Sequence, residues 1–432
     1  MTLLGEIERN AQATEDRGVL RFITAGSVDD GKSTLIGRLL HDTRAIFDDQ
    51  LAAVARASSK RGREDLDLSL LTDGLEAERE QGITIDVAYR YFATPPRKFI
   101  IADTPGHEQY TRNMVTGAST AHAAVILIDA RKGVLPQTRR HTYIAHLLGV
   151  RHIVVAVNKM DLVDYDEAVF ERIRGDFLAF VSALGIADLR FIPISALRGD
   201  MTVERGENMA WYRGPTLLAA LEEIDVADVA DSLPFRFPVQ LVARPGAGAD
   251  FRGYAGRIES GVLFRGAAVL ALPSGRRTVV KDIISLERSL PVAVAGDSVT
   301  LVLDDDIDIS RGDVLVDPLR PPRAAKAIEA RLCWLSTAPL DVRALPGARF
   351  VLKHTTHSVK ARLISLNSRI DVNSLEQQTR PAGLAMNDIA HVALALAEPL
   401  FVDSYELNRA AGSFILIDEA SNQTVAAGMI DG

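Results

Sequence analysis

The fold class this chain of 432 residues predicts is an α/β domain followed by two antiparallel β-barrel domains. The α/β domain has a parallel-rich sheet with helices on both faces. Three observations predict this. Residues 26–33 read Gly-Ser-Val-Asp-Asp-Gly-Lys-Ser, which fits G-x-x-x-x-G-K-[ST] between an apolar run and a helical one. Up to about residue 230, short runs apolar on both faces alternate with helical stretches, the pattern of a covered parallel sheet. Beyond Asp231-Ser-Leu-Pro234 the helical period gives way to short alternating strands with Gly-rich turns.

The elements follow in order. Residues 19–25 read as the first strand, and 34–40 as the helix after the glycine loop. Further strands are expected at 99–102, 123–128, 153–157 and 190–194, with helices near 107–119, 136–148, 166–184 and 215–223. A strand at 83–89 precedes that of 99–102. The first barrel is expected to use 235–242, 253–259, 267–272, 278–284 and 298–303. Pro318-Leu-Arg-Pro-Pro322 marks a second boundary. The last barrel takes 327–335, 349–354, 357–366, 389–396, 414–418 and 424–429. The domains are therefore expected at 1–232, 233–322 and 323–432.

Composition narrows the function. Apolar residues at 47% and charged ones at 25% are ordinary for a globular protein, and the length asks for several domains. A net charge of −8 argues against a surface built to hold nucleic acid. The single cysteine, Cys333, excludes a disulfide framework or a cysteine-rich metal site. The acidic start lacks the apolar length of a secretory leader, and no apolar run approaches ~18 residues. A cytoplasmic protein outside the membrane is expected.

The glycine loop carries the first chemistry. Gly26 and Gly31 let backbone N–H groups of Ser27, Val28, Asp29 and Asp30 curl around phosphate oxygens, and the helix N-terminus adds partial positive charge. Lys32 is expected to reach the β/γ-phosphates, and the Ser33 hydroxyl to ligate Mg²⁺, with Thr34 beginning the helix. A plain turn between strand and helix has no use for Lys-Ser at that place.

Further motifs end predicted strands in the order a guanine-nucleotide switch requires. Asp103-Thr104-Pro105-Gly106 supplies a carboxylate that can hold Mg²⁺ through water and an N–H for the γ-phosphate. Alone it would read as an ordinary turn; its distance after the glycine loop favours the functional reading. Asn158-Lys159-Met160-Asp161 selects the base. The Asp161 carboxylate accepts from guanine N1 and N2, and adenine would leave it unpaired at a cost of several kcal/mol. Asn158 can bond the O6/N7 edge, and Lys159 lies along the base plane. A helix cap is the alternative use of Asp161. Ser195-Ala196-Leu197, after the strand ending at Ile194, is read as a backbone contact to guanine, though this triplet also occurs by chance.

Two catalytic candidates complete the set. Thr84, in Gly82-Ile83-Thr84-Ile85-Asp86, can complete the Mg²⁺ shell while the γ-phosphate is bound. It can equally be a β-branched residue opening a strand. His107 follows Asp-Thr-Pro-Gly and can orient the attacking water, against the alternative of a capping or solvated histidine. Together these residues predict a P-loop GTPase domain using GTP/GDP and Mg²⁺.

At this point the residues resemble a known family. Gly26–Ser33, Ala77–Asp86, Asp103–His107 and Asn158–Asp161 resemble the translation-factor superfamily of GTPases. Within it the chain is most similar to the large, GTP-hydrolysing subunit of bacterial sulfate adenylyltransferase. Val28-Asp29-Asp30, Leu71-Thr-Asp-Gly-Leu75, Asp103–Met114 and Trp211–Leu218 carry that likeness. The resemblance implies a hetero-oligomer with a small ATP-sulfurylase subunit, ATP-pyrophosphatase-like, that makes adenosine 5′-phosphosulfate and pyrophosphate from ATP and sulfate. GTP hydrolysis on the large subunit would drive that uphill step. It also implies that Val28 and Ile83 flank the catalytic histidine. One departure is Gly199-Asp200-Met201, where the family usually has Asn after Gly-Asp. Another is that no second G-x-x-x-x-G-K-[ST] is present, so adenylylsulfate kinase activity is not expected.

The alternative is a translation elongation-type GTPase binding aminoacyl-tRNA, which the domain layout permits. Elongation factors usually carry His-Val-Asp-His in the loop and Asp-Cys-Pro-Gly-His after the strand, and neither is here. The acidic balance also counts against it. A nucleotide-controlled adaptor without hydrolysis is a third reading, and His107 argues against it.

Overall fold

The computed structural model describes residues 18–46, 48–60, 66–71, 86–107, 111–226, 229–244, 251–286, 288–345 and 348–432. The chain separates into two compact units, Met1–Val226 with Val372–Ser374, and Ala227–Asp371 with Leu375–Gly432.

The first unit is a six-stranded sheet flanked by helices. Its strands are β1 (Val19–Ala25), β2 (Ala88–Thr94), β3 (Arg97–Asp103), β4 (Ala123–Asp129), β5 (His152–Asn158) and β6 (Asp188–Pro193). Their order is β2-β3-β1-β4-β5-β6, and all neighbours are parallel except β2 with β3. Every residue of β4 is buried, as are six of the seven in β5, which explains their unbroken apolar runs. Register does the functional work. Thr24 pairs with Asp103, Ala25 with Ile126, Asp129 with Asn158, and Val157 with Pro193. The carboxyl ends of five strands therefore share one edge, where ligands of open α/β sheets bind.

The helices are α1 (Lys32–Asp42), α2 (Asp48–Lys60), α3 (Thr111–Ala118), α4 (Pro136–Leu147), α5 (Glu167–Val181) and α6 (Leu217–Glu223). Asp166 caps α5 by accepting from the Ala168 N–H at 2.8 Å, and Thr216 caps α6 from Ala219 at 3.2 Å. Pro136 opens α4, where its missing N–H costs nothing.

One expectation changes, and one helix was not foreseen. The strand expected at 83–89 is described only from Ala88, and it runs on to Thr94 because β2 is the outer arm of a hairpin with β3. Helix α2 is the one not foreseen from the sequence. Residues 72–85 and 108–110, which include Thr84 and the start of the expected 107–119 helix, lie outside the described residues.

The second unit holds two closed six-stranded antiparallel barrels. The first uses β7 (Arg236–Ala243), β8 (Gly253–Arg257), β9 (Ala268–Leu272), β10 (Arg276–Ser285), β11 (Ser298–Leu303) and β12 (Val314–Val316). The order β9-β12-β7-β8-β11-β10 closes by pairing β9 with β10. Strand β12 was not foreseen, because three residues are too few for alternation to register. The second barrel uses β13 (Arg323–Trp334), β14 (Phe350–His354), β15 (His357–Ile370), β16 (Ile389–Val402), β17 (Ser413–Asp418) and β18 (Thr424–Ile430). Its order β14-β17-β18-β13-β16-β15 closes between β14 and β15. Closure leaves neither barrel with a free edge. Alternate residues fill each core, Phe237, Tyr254 and Leu301 in the first, Leu332, Leu352 and Leu394 in the second.

Within this unit a buried polar latch joins the barrels. Arg236 donates from Nε and Nη2 to both carboxylate oxygens of Asp403, each at 3.0 Å. The Asn408 amide donates to Ser260 Oγ at 3.0 Å and to Asp403 at 3.1 Å. No helix among the described residues is long and apolar enough to cross a membrane.

Candidate nucleotide-binding site

The loop between β1 and α1 is built by left-handed residues. Asp29 has φ +65° and Gly31 φ +93°, and the second favours glycine. The Ser27 N–H donates to Asp30 Oδ2 at 2.6 Å, which folds the loop on itself. A Cβ on Gly26 would come within 2.9 Å of the Leu127 carbonyl of β4, so only glycine fits there.

Lys32 is the electrostatic centre. Its ammonium is almost fully buried and donates to the Gly26 and Ser27 carbonyls, each at 2.9 Å. Burial lowers its proton affinity, and Asp103, Asp30 and Asp29 partly restore it. Burial likewise raises the Asp30 carboxyl, offset in part by Lys32 and the Ser27 N–H. Ser27 Oγ and Asp30 Oδ1 are buried without a hydrogen-bond partner among the described residues.

The segment after β3 closes over this loop. A Cβ on Gly106 would come within 2.5 Å of Lys32 Nζ and 3.0 Å of the Gly26 carbonyl. Asp103 is 2% exposed and accepts from Thr24 Oγ1 at 3.2 Å, while Thr104 Oγ1 donates to the Thr24 carbonyl at 2.6 Å. Thr104 and Pro105 are buried, and His107 is half-buried beyond them. Ser33 and Thr34 are half-buried in the first turn of α1.

The base-selecting motifs interlock with the loop. Asn158 Nδ2 donates to the Asp30 carbonyl at 2.7 Å, and its Oδ1 accepts from the Ala196 N–H at 3.0 Å. One side chain thus ties three motifs together. Lys159 donates to the Asp29 carbonyl and lies 3.0 Å from Asp129 Oδ2. Met160 is fully buried, and its N–H donates to the Ile194 carbonyl at 3.2 Å. Asp161 Oδ1 accepts from Ser195 Oγ at 2.7 Å, and Leu197 is exposed. Apart from Thr84, every site residue expected from sequence is among the described residues.

Sequence reasoning missed several residues here. Asp129, 1% exposed at the end of β4, pairs with Lys159 and accepts from Arg131 Nε at 3.0 Å and Nη2 at 2.7 Å. Burial alone would raise its carboxyl, but the hydrogen bonds from Arg131 and Lys159 outweigh that and hold it below the usual carboxylate range. Its signal was a polar residue closing an apolar strand, as Asp103 and Asn158 do. Asp200 was noticed only as the site of a departure. Its carbonyl accepts from the Ser195 N–H at 3.1 Å, and its carboxylate from Tyr165 and Asn208. Met201, where the family usually has Asn, is fully buried with φ +58°. Asn tolerates that left-handed conformation better than most residues.

This cradle agrees with what the family comparisons find. Residues 17–229 match the elongation factor Tu GTP binding domain, and 327–431 match the GTP-eEF1A C-terminal domain-like family. Fold and match together define a guanine-nucleotide-binding protein of the P-loop GTPase class. Among curated relatives, sulfate adenylyltransferase subunit 1 of Laribacter hongkongensis is 54% identical, covering 96% of this chain and 86% of its own. The protein of that name from Cronobacter sakazakii is 53% identical, over 99% of this chain and 89% of its own. The bifunctional enzyme NodQ of Rhizobium meliloti is 50% identical over 99% of this chain and 66% of its own. The chain belongs to the sulfate adenylyltransferase subunit 1 family.

Proposed function

We propose that this chain is the GTP-hydrolysing subunit of a sulfate adenylyltransferase, working with a small ATP-pyrophosphatase-like subunit. The partner forms adenosine 5′-phosphosulfate and pyrophosphate from ATP and sulfate, and GTP hydrolysis here drives that uphill step. The family's shared name, with its "subunit 1", supports the pairing.

The observation that carries the nucleotide reading is the interlocked cradle of Lys32, Gly106 and Asn158. The orphaned Ser27 Oγ and Asp30 Oδ1 suit a ligand rich in polar atoms, as phosphates are. Lys32 leaves its carbonyl partners for the β/γ-phosphates, and the Gly106 N–H meets the γ-phosphate. Ser33, Thr84 and Asp103 are the residues that would hold Mg²⁺, which would supply positive charge to neutralise the phosphates. His107 orients the attacking water. Asn158, Lys159, Asp161 and Ser195–Leu197 hold the guanine.

The test is a reconstitution with the cognate small subunit, ATP and sulfate. Adenylyl sulfate should accumulate with GTP and stay near background with a non-hydrolysable GTP analogue. Equal yield in both would end the coupling proposal.

A further inference from the structure

Arg38 sits on α1, the helix that begins with Lys32 and Ser33, yet its guanidinium reaches the opposite end of the site. Nε donates to the Ala196 carbonyl at 3.1 Å, and Nη2 donates to the Leu197 carbonyl. Nη1 lies 3.5 Å from Asp42 Oδ1, which braces the side chain from one turn further along α1. The arginine side chain is 18% exposed; its bond to Ala196 is partly buried, and its bond to the exposed Leu197 lies at the surface.

Peptide geometry gives these two bonds a consequence. In a trans peptide the N–H points opposite to the C=O. Holding the Ala196 carbonyl toward Arg38 therefore turns the Leu197 N–H to the other side. The next peptide identifies that side. Its carbonyl, from Leu197, also faces Arg38, while its N–H, from Arg198, donates to Ser195 Oγ at 3.1 Å. Ser195 Oγ in turn donates to Asp161 Oδ1. The N–H groups thus face the carboxylate proposed to read guanine N1 and N2. Along this turn the Ser195, Ala196, Arg198 and Gly199 N–H groups already donate to Asp200, Asn158, Ser195 Oγ and the Ser195 carbonyl. The Leu197 N–H alone among these five has no partner among the described residues.

We propose that Arg38 is a positioning residue for base recognition, which aims the Leu197 N–H at the 6-oxo group of guanine. It touches no nucleotide itself. Because α1 also carries Lys32 and Ser33, one helix fixes both the phosphate end and the base end of the site. The inference rests on the guanine reading of the pocket.

The experiment compares GDP with 6-thio-GDP, whose sulfur is a poorer acceptor at the same position, on the full chain and on R38A and R38K. Wild type should prefer GDP. R38A should lose on the order of tenfold in GDP affinity, as expected when two charge-assisted bonds that shape the turn are removed. Its preference for GDP over 6-thio-GDP should shrink toward one, and R38K should fall between. GTP turnover at saturation should stay unchanged while KM rises. If R38A does not fold, R38K carries the same comparison, since one ammonium does not reproduce the planar fork. GDP affinity within twofold of wild type in both variants would overturn the proposal, as would a loss equal for both nucleotides. A wild-type chain without preference for GDP over ADP would instead end the underlying guanine reading, so the two failures are distinguishable.

Discussion

Lys32 and Asp161 stand at the two ends of the site, and each is legible in sequence for a different reason. The lysine is fixed by a spacing that only a phosphate-binding loop needs. The aspartate is fixed by its place three residues beyond the buried Asn158. Its expected role is to accept two N–H bonds from guanine, so D161N should replace one accepting oxygen with a donor. GTP affinity should then fall by about 100-fold, while xanthine nucleotides, which offer an oxygen in place of the 2-amino group, should gain. Competition binding with GDP and XDP measures both. His141 is a residue no motif marked. It is fully buried on α4, with the Gln137 amide 2.9 Å from Nε2, and burial, then the charges of Lys32 and Arg140, push it down to about 3. Its unfolded value is near 6.5, so the unfolded chain takes up the proton first. Its contribution is intact above pH 6.5 and is lost as pH falls toward 3, on the order of 1 kcal/mol per pH unit. His354, lowered by burial in the second unit, acts in the same direction. H141Q should therefore flatten, without abolishing, the fall in Tm between pH 6.5 and 4.

At the scale of elements, α4, β4 and β5 were readable because buried parallel strands are apolar throughout and helices announce their starts. Lone side chains that cap a distant element were not. Arg97 opens β3, is 3% exposed, and donates from Nη1 to the Leu221 carbonyl at 3.2 Å and to the Ile224 carbonyl at the end of α6. Those carbonyls lack helical partners of their own. R97A should leave them buried and unpaired and lower unfolding free energy by about 2–4 kcal/mol. Chemical denaturation measures this, and GDP affinity should be unchanged, because the cap lies away from the loop edge. Nothing in the tetrapeptide Pro-Pro-Arg-Lys distinguishes Arg97 from a solvated arginine, since its partners lie more than a hundred residues away.

At the scale of the molecule, the two barrels of the second unit meet through charge as well as shape. Arg236 is 4% exposed and takes both its carboxylate bonds from Asp403. Removing the acid strands a buried cation, which is costlier than losing the bond itself. D403A should lower stability by about 3–5 kcal/mol, and calorimetry should resolve the barrels as separate transitions. A single unchanged transition would mean that packing alone holds them together.

The sequence by itself determined the fold class and supplied nearly every nucleotide contact proposed here. It could do so because phosphate and guanine impose residue types at fixed spacing along the chain. Only the tertiary structure decided which side chains hold those contacts in shape. Arg38, Asp129, Arg97 and the Arg236–Asp403 pair act on partners from 30 to more than 160 residues away, apart from local bonds such as Asp129 with Arg131. Burial and register create those meetings, and neither leaves a local mark on the chain.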